Sequence, residues 1–225
     1  MTESLTDEMS EQEQRAIASQ LSCPTGDKGV EVAEHMNETN HFINARAIEA
    51  LSLVAGESIA EIGPANAKLS IPLVETLGAD GSYIGIEMSP TMAEAARQTL
   101  VNSPCAVDII CGSCLEAEIT TASLDAVIAV NVLYFIDDLP AFFAQLKGWL
   151  KPGGRVVFGV RSENTLKDIP FTQYKFAIRS IDDMTQALEQ AGFSSVAANV
   201  YDEGETPLGE VMIAVDSVIL SATKA

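Results

Sequence analysis

The chain has 225 residues, 47% of them hydrophobic and 20% charged, a balance that supplies a full apolar core without disulfides or a structural metal. Lys and Arg number 13 against 32 Asp and Glu, for a net charge of −19. That excludes unaided binding to nucleic acid, which depends on cationic side chains releasing counterions, and it opposes docking on an anionic membrane. A small molecule or a protein partner remains as ligand.

Residues 1–20 are polar, with five acids against Arg15, and read as a solvated helix or a tail. No hydrophobic run reaches the ~18 residues of a membrane span. The segment MTESLTDEMSEQEQ has no apolar stretch of a signal type, so the expected location is the cytoplasm, with reduced cysteines. Residues 21–30 read as a loop, on Pro24, Gly26 and Gly29. From Val30 to Leu53 the apolar period is helical, in one bent helix or two.

The period then changes. Residues 58–62 read as a strand, 66–77 as a helix with Pro72 near its start, and 83–86 as a second strand. Ser89 and Pro90 open a helix through Leu100 as N-cap and first helical residue. Residues 106–110 and 124–130 are strands three and four. A helix over 139–150 stops at Lys151-Pro-Gly-Gly154, and strand five covers 155–160. A helix over 181–191 precedes two last strands, near 194–201 and 211–221, with an acidic turn-rich stretch between them.

Five alternations of strand and helix imply an α/β fold: a doubly wound, Rossmann-like, seven-stranded sheet, mostly parallel, with helices on both faces. The last two strands lack an intervening helix and should form an antiparallel hairpin. Such a sheet binds its ligand beyond the carboxyl ends of the strands, where strand order reverses. Those ends read Glu61-Ile-Gly63-Pro64-Ala65-Asn66-Ala67, then Glu87-Met88-Ser89-Pro90, then Cys111-Gly112-Ser113-Cys114, then Asn131-Val132-Leu-Tyr134.

In this order, and followed by Leu150-Lys-Pro-Gly-Gly154 and Ala191-Gly-Phe193, these motifs resemble the class I S-adenosylmethionine-dependent methyltransferases over about residues 48–221. Pro24-Thr-Gly26 and Met36-Asn37 with Asn40 are similar to the lead-in of small-molecule members. The resemblance implies S-adenosylmethionine as cofactor and a helical lid over 1–45 on a catalytic domain over 46–225. It implies ribose binding by Glu87 beside Met88, and a role for Glu61 in ordering the loop and facing the methionine amino group. It implies methionine-end contacts from Gly63, Pro64, Ala65 and Asn66, adenine contacts from Gly112, Ser113 and Cys114, and a place beside the methyl donor for Asn131 and Val132. Met36, Asn37, His41 and Tyr134 are candidates for the acceptor pocket.

The chain departs from the family in its glycine-rich loop, where Ala65 and Ala67 replace the second and third glycines. The Cβ of Ala65 would intrude on the cofactor or push the loop outward, while Asn66 is suited to a positive φ. On this reading Ala65→Gly tightens cofactor binding and slightly lowers the stability of the free protein. Ser113 stands where many relatives carry an Asp.

Each candidate also has a plainer reading. Glu87 and Glu61 are two of 32 acids, Asn131 a strand cap, Tyr134 core, and His35 and His41 surface residues. Met36, Phe42 and Met92 suit core packing. The Cys111-x-x-Cys114 pair has acidic neighbours that disfavour a thiolate, and the histidines have no spacing for a metal site, so no metal is expected. The leading function is methyl transfer to a small-molecule acceptor, with catalysis resting on positioning and no base assigned. The alternative is a non-catalytic methyltransferase-like protein acting through a partner. A nicotinamide-dependent oxidoreductase is disfavoured because the later glycines of its fingerprint are missing. The oligomeric state is left open.

Overall fold

The computed structural model describes residues 9–208 and 211–225. Its centre is a seven-stranded sheet in the order β3-β2-β1-β4-β5-β7-β6. The strands are β1 (Ser58–Ile62), β2 (Ser82–Glu87), β3 (Ala106–Cys111), β4 (Leu124–Val130), β5 (Leu150–Val160), β6 (Phe193–Leu208) and β7 (Val211–Lys224). The first five pair in parallel; β7 runs antiparallel to both β5 and β6. Strand order reverses between β1 and β4, so the carboxyl ends of β1, β2 and β4 frame the crevice that a doubly wound sheet offers a ligand.

Helices cover both faces. Helix α3 (His41–Leu51), α4 (Ile71–Leu77) and α5 (Pro90–Thr99) bury Ile43, Leu51, Leu73 and Ala93 together with Ile59, Ala126 and Val157 of the sheet. Helix α6 (Leu139–Trp149) and α8 (Ile181–Gln190) bury Phe142, Phe143 and Leu188 with Phe158 and Leu220. The central strands are apolar on both faces, as strands sandwiched between helix layers must be. Ser89 caps α5 as expected: its Oγ accepts from Met92 N–H at 3.2 Å, and Pro90 holds the first helical position.

Several boundaries differ from the sequence reading. Helix α2 (Gly26–Thr39) starts earlier than the expected loop allowed. Gly29 lies within it because a Cβ there would sit 2.5 Å from the Pro24 carbonyl carbon, so this glycine marks close approach and not a turn. The helical stretch after residue 30 is two helices, α2 and α3, broken at Asn40. α4 begins only at Ile71, because residues 65–70 are turns in which Ala67 has a positive φ. The supposed linker DEGETPLG belongs largely to β6, whose register against β7 continues to Leu208. Gly204 there has φ of +81° at a register shift, a bulge where a turn was read. Pro207 is tolerated because β6 is the edge strand.

Two short segments had no reading in the sequence. Helix α7 (Glu163–Leu166) and a turn over Pro170–Gln173 follow β5; α7 packs on β7 and the turn meets helix α1 (Glu11–Ser22). α1 carries a full capping box between Ser10 and Glu13. With α2 it lies over the carboxyl ends of the strands.

Candidate active site

β1 ends at Ile62 and hands the chain to a tight loop. Gly63 has φ of +71°, and its N–H donates to Ile86 O at 2.9 Å. A Cβ at Gly63 would lie 2.8 Å from Val132 Cγ2, so the crossing of the β1 and β4 loops requires glycine here. The next left-handed residues are Ala65 (φ +50°) and Ala67 (φ +57°), not Asn66 as the sequence suggested. Each stands where the family pattern has glycine, and a left-handed residue with a Cβ costs roughly 1–2 kcal/mol. Asn66 is buried, and its Oδ1 accepts from Lys68 N–H at 3.2 Å, which stiffens the turn from within. Pro64 is buried under the loop, and its carbonyl accepts from Ala67 N–H at 2.8 Å.

Glu87 ends β2 opposite this loop and is 5% exposed. Its Oε2 accepts from Ala65 N–H at 3.0 Å and its Oε1 from Ser89 N–H at 2.8 Å. Burial pushes its carboxyl up from the usual value, against the pull of the N–H groups of Ser89, Ala65 and Met88. Each carboxylate oxygen keeps a further lone pair, so the group can receive two more donors side by side. The N-terminal segment is also tied to this turn: Ser89 Oγ donates to Pro24 O, and Gly26 N–H donates to Thr91 Oγ1 at 3.3 Å.

Glu61 points elsewhere. It is buried, and its Oε2 accepts from the Tyr83 hydroxyl at 2.7 Å. Burial raises both groups, Tyr83 well above its usual value, so the pair shares a proton-rich interior behind the loop. Glu61 does not line the cleft in front of it.

The third strand end closes the far side of the cleft. Gly112 N–H donates to Glu87 O at 2.9 Å, and Ser113 Oγ accepts from Leu115 N–H at 3.2 Å. Cys111 is exposed and Cys114 buried, with its thiol pushed up to about 11 by burial. A thiol held that high is protonated at neutral pH, which suits a packing role in this turn.

Asn131 follows β4 with φ of +57°. Its Nδ2 donates to Asn40 Oδ1 at 3.0 Å, and its Oδ1 accepts from the Tyr134 hydroxyl at 3.1 Å. Tyr134 in turn accepts from Arg161 N–H. The chain of contacts joins the break between α2 and α3 to the ends of β4 and β5.

Two cavities meet here. The smaller, about 150 Å³, is walled by Gly63, Ala65, Glu87, Met88, Val132 and the Gly112–Cys114 turn. The larger, about 730 Å³, lies between α1, α2, the segment 161–176 and the β6–β7 hairpin. Leu21, Met36, Asn131 and Phe135 line both. The structure thus gathers most of the predicted cofactor residues on one cleft and places Met36 and Tyr134 on the adjoining cavity. Pro64 and Asn66 support the loop from behind. Asn37 and His41 are on neither wall: His41 is exposed at the start of α3, and Asn37 keeps its Nδ2 buried without a partner. His35 lines the larger cavity.

The sequence reading missed Arg161 and Glu203. They form a largely buried ion pair on the wall of the larger cavity, and Arg161 also donates to Asp216 O at 2.9 Å. The available signal was an arginine directly after the apolar run of β5, at the same end of the sheet as the other site residues.

Comparison with known proteins agrees with this geometry. Residues 60–158 match the family model of a methyltransferase domain. Phosphoethanolamine N-methyltransferase 1 of Triticum aestivum is 27% identical over 157 residues, 67% of this chain and 31% of that protein. An arsenite methyltransferase of Halobacterium salinarum is 24% identical over 172 residues, 71% of this chain and 42% of that protein. The chain spans about a third of the length of the phosphoethanolamine relatives it matches. A crystal structure of a SAM-dependent methyltransferase, possible histamine N-methyltransferase, from Thermotoga maritima superposes with a TM-score of 0.65 at 21% identity, covering 87% of this chain and 96% of that one. Residues 60–158 thus match a methyltransferase domain, within a chain whose fold is that of the class I S-adenosylmethionine-dependent methyltransferases.

Proposed function

We propose that the chain transfers a methyl group from S-adenosylmethionine to a small-molecule acceptor. The observation that carries this reading is Glu87: a buried carboxylate at the switch-point crevice, anchored by one N–H on each oxygen, with a free lone pair on each for a ribose diol. The donor set therefore fits the cofactor. When bound, S-adenosylmethionine supplies an electrophilic methyl group on a sulfonium. Gly63 and Ala65 shape the loop for its amino-acid end, and Gly112 to Cys114 form the adenine side. Asn131 and Met36, shared by both cavities, hold the acceptor at the border. The protein's work is then alignment and exclusion of water, and orientation alone can lower a barrier by roughly 7–11 kcal/mol. The same proposal makes residues 9–45 a lid, the first eight residues of the expected 1–45 segment lying outside the described residues, and takes the cytoplasm as its setting.

The second reading, a non-catalytic relative acting through a partner, draws on the two left-handed alanines in the loop. Calorimetry with S-adenosylhomocysteine separates the two. Binding by the unaltered protein, weakened about tenfold or more in Glu87→Ala, is the expected result, since each hydrogen bond to a charged group contributes about 1.5–3 kcal/mol. No binding by the unaltered protein favours the non-catalytic reading. Equal binding by a folded Glu87→Ala removes Glu87 from the site.

A further inference from the structure

We propose that the methyl acceptor is an uncharged molecule with a planar, largely apolar body, held in the larger cavity with its nucleophilic atom at Asn131. This deepens the methyltransferase reading and rests on it.

Size comes first. A cavity of about 730 Å³ matches those that enclose whole ligands of drug size, which span roughly 300–1,000 Å³. A two-carbon acceptor would leave most of it unfilled. The wall chemistry comes next. Val32 of α2, Leu166, Ile169 and Phe171 line it, with Phe135 and Phe176 beside the border. Tyr134, Phe135 and Phe176 form one aromatic cluster, with ring centroids 4.8 Å apart for Phe135 and Phe176 and 5.5 Å for Tyr134 and Phe176. A flat ring can continue that stack by edge or offset contact.

Charge decides between acceptor classes. Among the described residues the fixed charges on the wall are Lys28 and Arg161 against Glu31 and Glu203, so they balance, with His35 the one further titratable base. Arg161 is committed to Glu203 and to the Asp216 carbonyl, and Lys28 is exposed. No unengaged pair of cations is left to grip a phosphate, which needs charge-assisted donors. A soft metalloid acceptor needs thiolates, and among the described residues no cysteine lines this cavity. Phosphoethanolamine and arsenite, the acceptors in the names of two relatives, both lack a partner here. At the border, Asn131, Asn40 and Tyr134 supply neutral amide and hydroxyl groups, suited to a hydroxyl or a neutral amine.

The test titrates 2-naphthol, phosphoethanolamine and arsenite into the protein saturated with S-adenosylhomocysteine. 2-Naphthol should bind, and the other two should not. Val32→Phe, which fills the cavity, and Ile169→Asp, which charges it, should each weaken 2-naphthol by about tenfold or more while S-adenosylhomocysteine affinity stays unchanged. Unchanged cofactor affinity also reports that the variants are folded. If S-adenosylhomocysteine binds but 2-naphthol does not, or if phosphoethanolamine or arsenite binds in its place, the acceptor class is wrong and the methyltransferase reading stands. If S-adenosylhomocysteine itself does not bind, the methyltransferase reading fails, and this inference with it.

Discussion

Ala65 has the most direct consequence at the scale of a single residue. Unfolded-chain entropy alone would make Ala65→Gly lower the stability of the free protein. The positive φ reverses the sign. Relief of roughly 1–2 kcal/mol of left-handed strain exceeds the ~0.4–1 kcal/mol entropic cost of glycine. Ala65→Gly should therefore raise the stability of the free protein by about 0.5–1 kcal/mol, read by urea denaturation. Ala67→Gly should be nearly neutral, because Ala67 is fully buried and loses its packed methyl group. A destabilised Ala65→Gly would show that the alanine methyl is packed and not strained. Gly63, Glu87 and Asn131 were legible as site residues because strand-end position alone selects them. Which loop residue turns left-handed was not legible, since φ depends on the crossing with Val132 and on the Ala65–Glu87 hydrogen bond. The Arg161–Glu203 pair was hidden for a similar reason: its partners lie 42 residues apart and meet only through the hairpin register.

Among the elements, α1 and α2 are the ones that the proposed lid reading makes responsible for access. The cofactor cleft of about 150 Å³ is below the roughly 300 Å³ at which ligand pockets begin, and Leu21, Ser22, Pro24 and Met36 of this segment form one wall. Entry of a cofactor-sized ligand requires that wall to move. The polar ties that hold the segment to the rest of the protein are mostly exposed: Thr91 to Gly26, Lys68 to Glu34 at 2.7 Å, Gln173 to Gln14 at 2.8 Å, Lys175 to Ser19 and Arg161 to Thr39 at 3.3 Å, with Ser89 to Pro24 the buried one. The Lys68–Glu34 pair is half-exposed and weak. Limited proteolysis should therefore cut within residues 20–40 of the free protein and more slowly with S-adenosylhomocysteine. Equal resistance with and without ligand would make the segment a fixed wall. Helix α3 is a different case: it runs through residue 45 and packs on β4, β5 and β7, so any hinge lies before it, near Asn40. That break was ambiguous in the sequence because the apolar period passes through it, and only tertiary packing separates the two helices. The parallel sheet with its terminal antiparallel hairpin, by contrast, followed from the alternation of strand and helix, which needs no side-chain detail.

For the molecule as a whole, two sets of carboxyl groups respond to pH in opposite directions. Burial raises Glu61 and Glu87 above 4.5, so folding holds their protons more tightly than the unfolded chain does. Their ionisation costs stability, and that cost is relieved as pH falls through their folded-state values toward 4.5. Lowering the pH also reduces the self-repulsion of a chain with charge −19. Glu57 and Asp125 act in the other sense. Arg155 holds Glu57 below 4.5. Burial pushes Asp125 up, but Lys151, Ser58 N–H and Arg155 outweigh it and hold it below 3.8. These pairs tie the starts of β1, β4 and β5, and their contribution is lost as pH falls below those values. Thermal stability of the free protein should therefore peak on the acid side of neutrality, higher near pH ~5.5 than near pH ~8, and collapse below pH ~4. Affinity for S-adenosylhomocysteine should run the opposite way over the upper range, because protonating Glu87 removes an acceptor from the ribose. Glu87→Gln and Glu61→Gln should flatten the rise in stability on the acid side of neutrality, since neither amide titrates. A melting temperature that climbs steadily from pH ~5 to ~8 in the unaltered protein would mean that both buried glutamates are ionised at little cost, and the environment assigned here to Glu87 would be wrong.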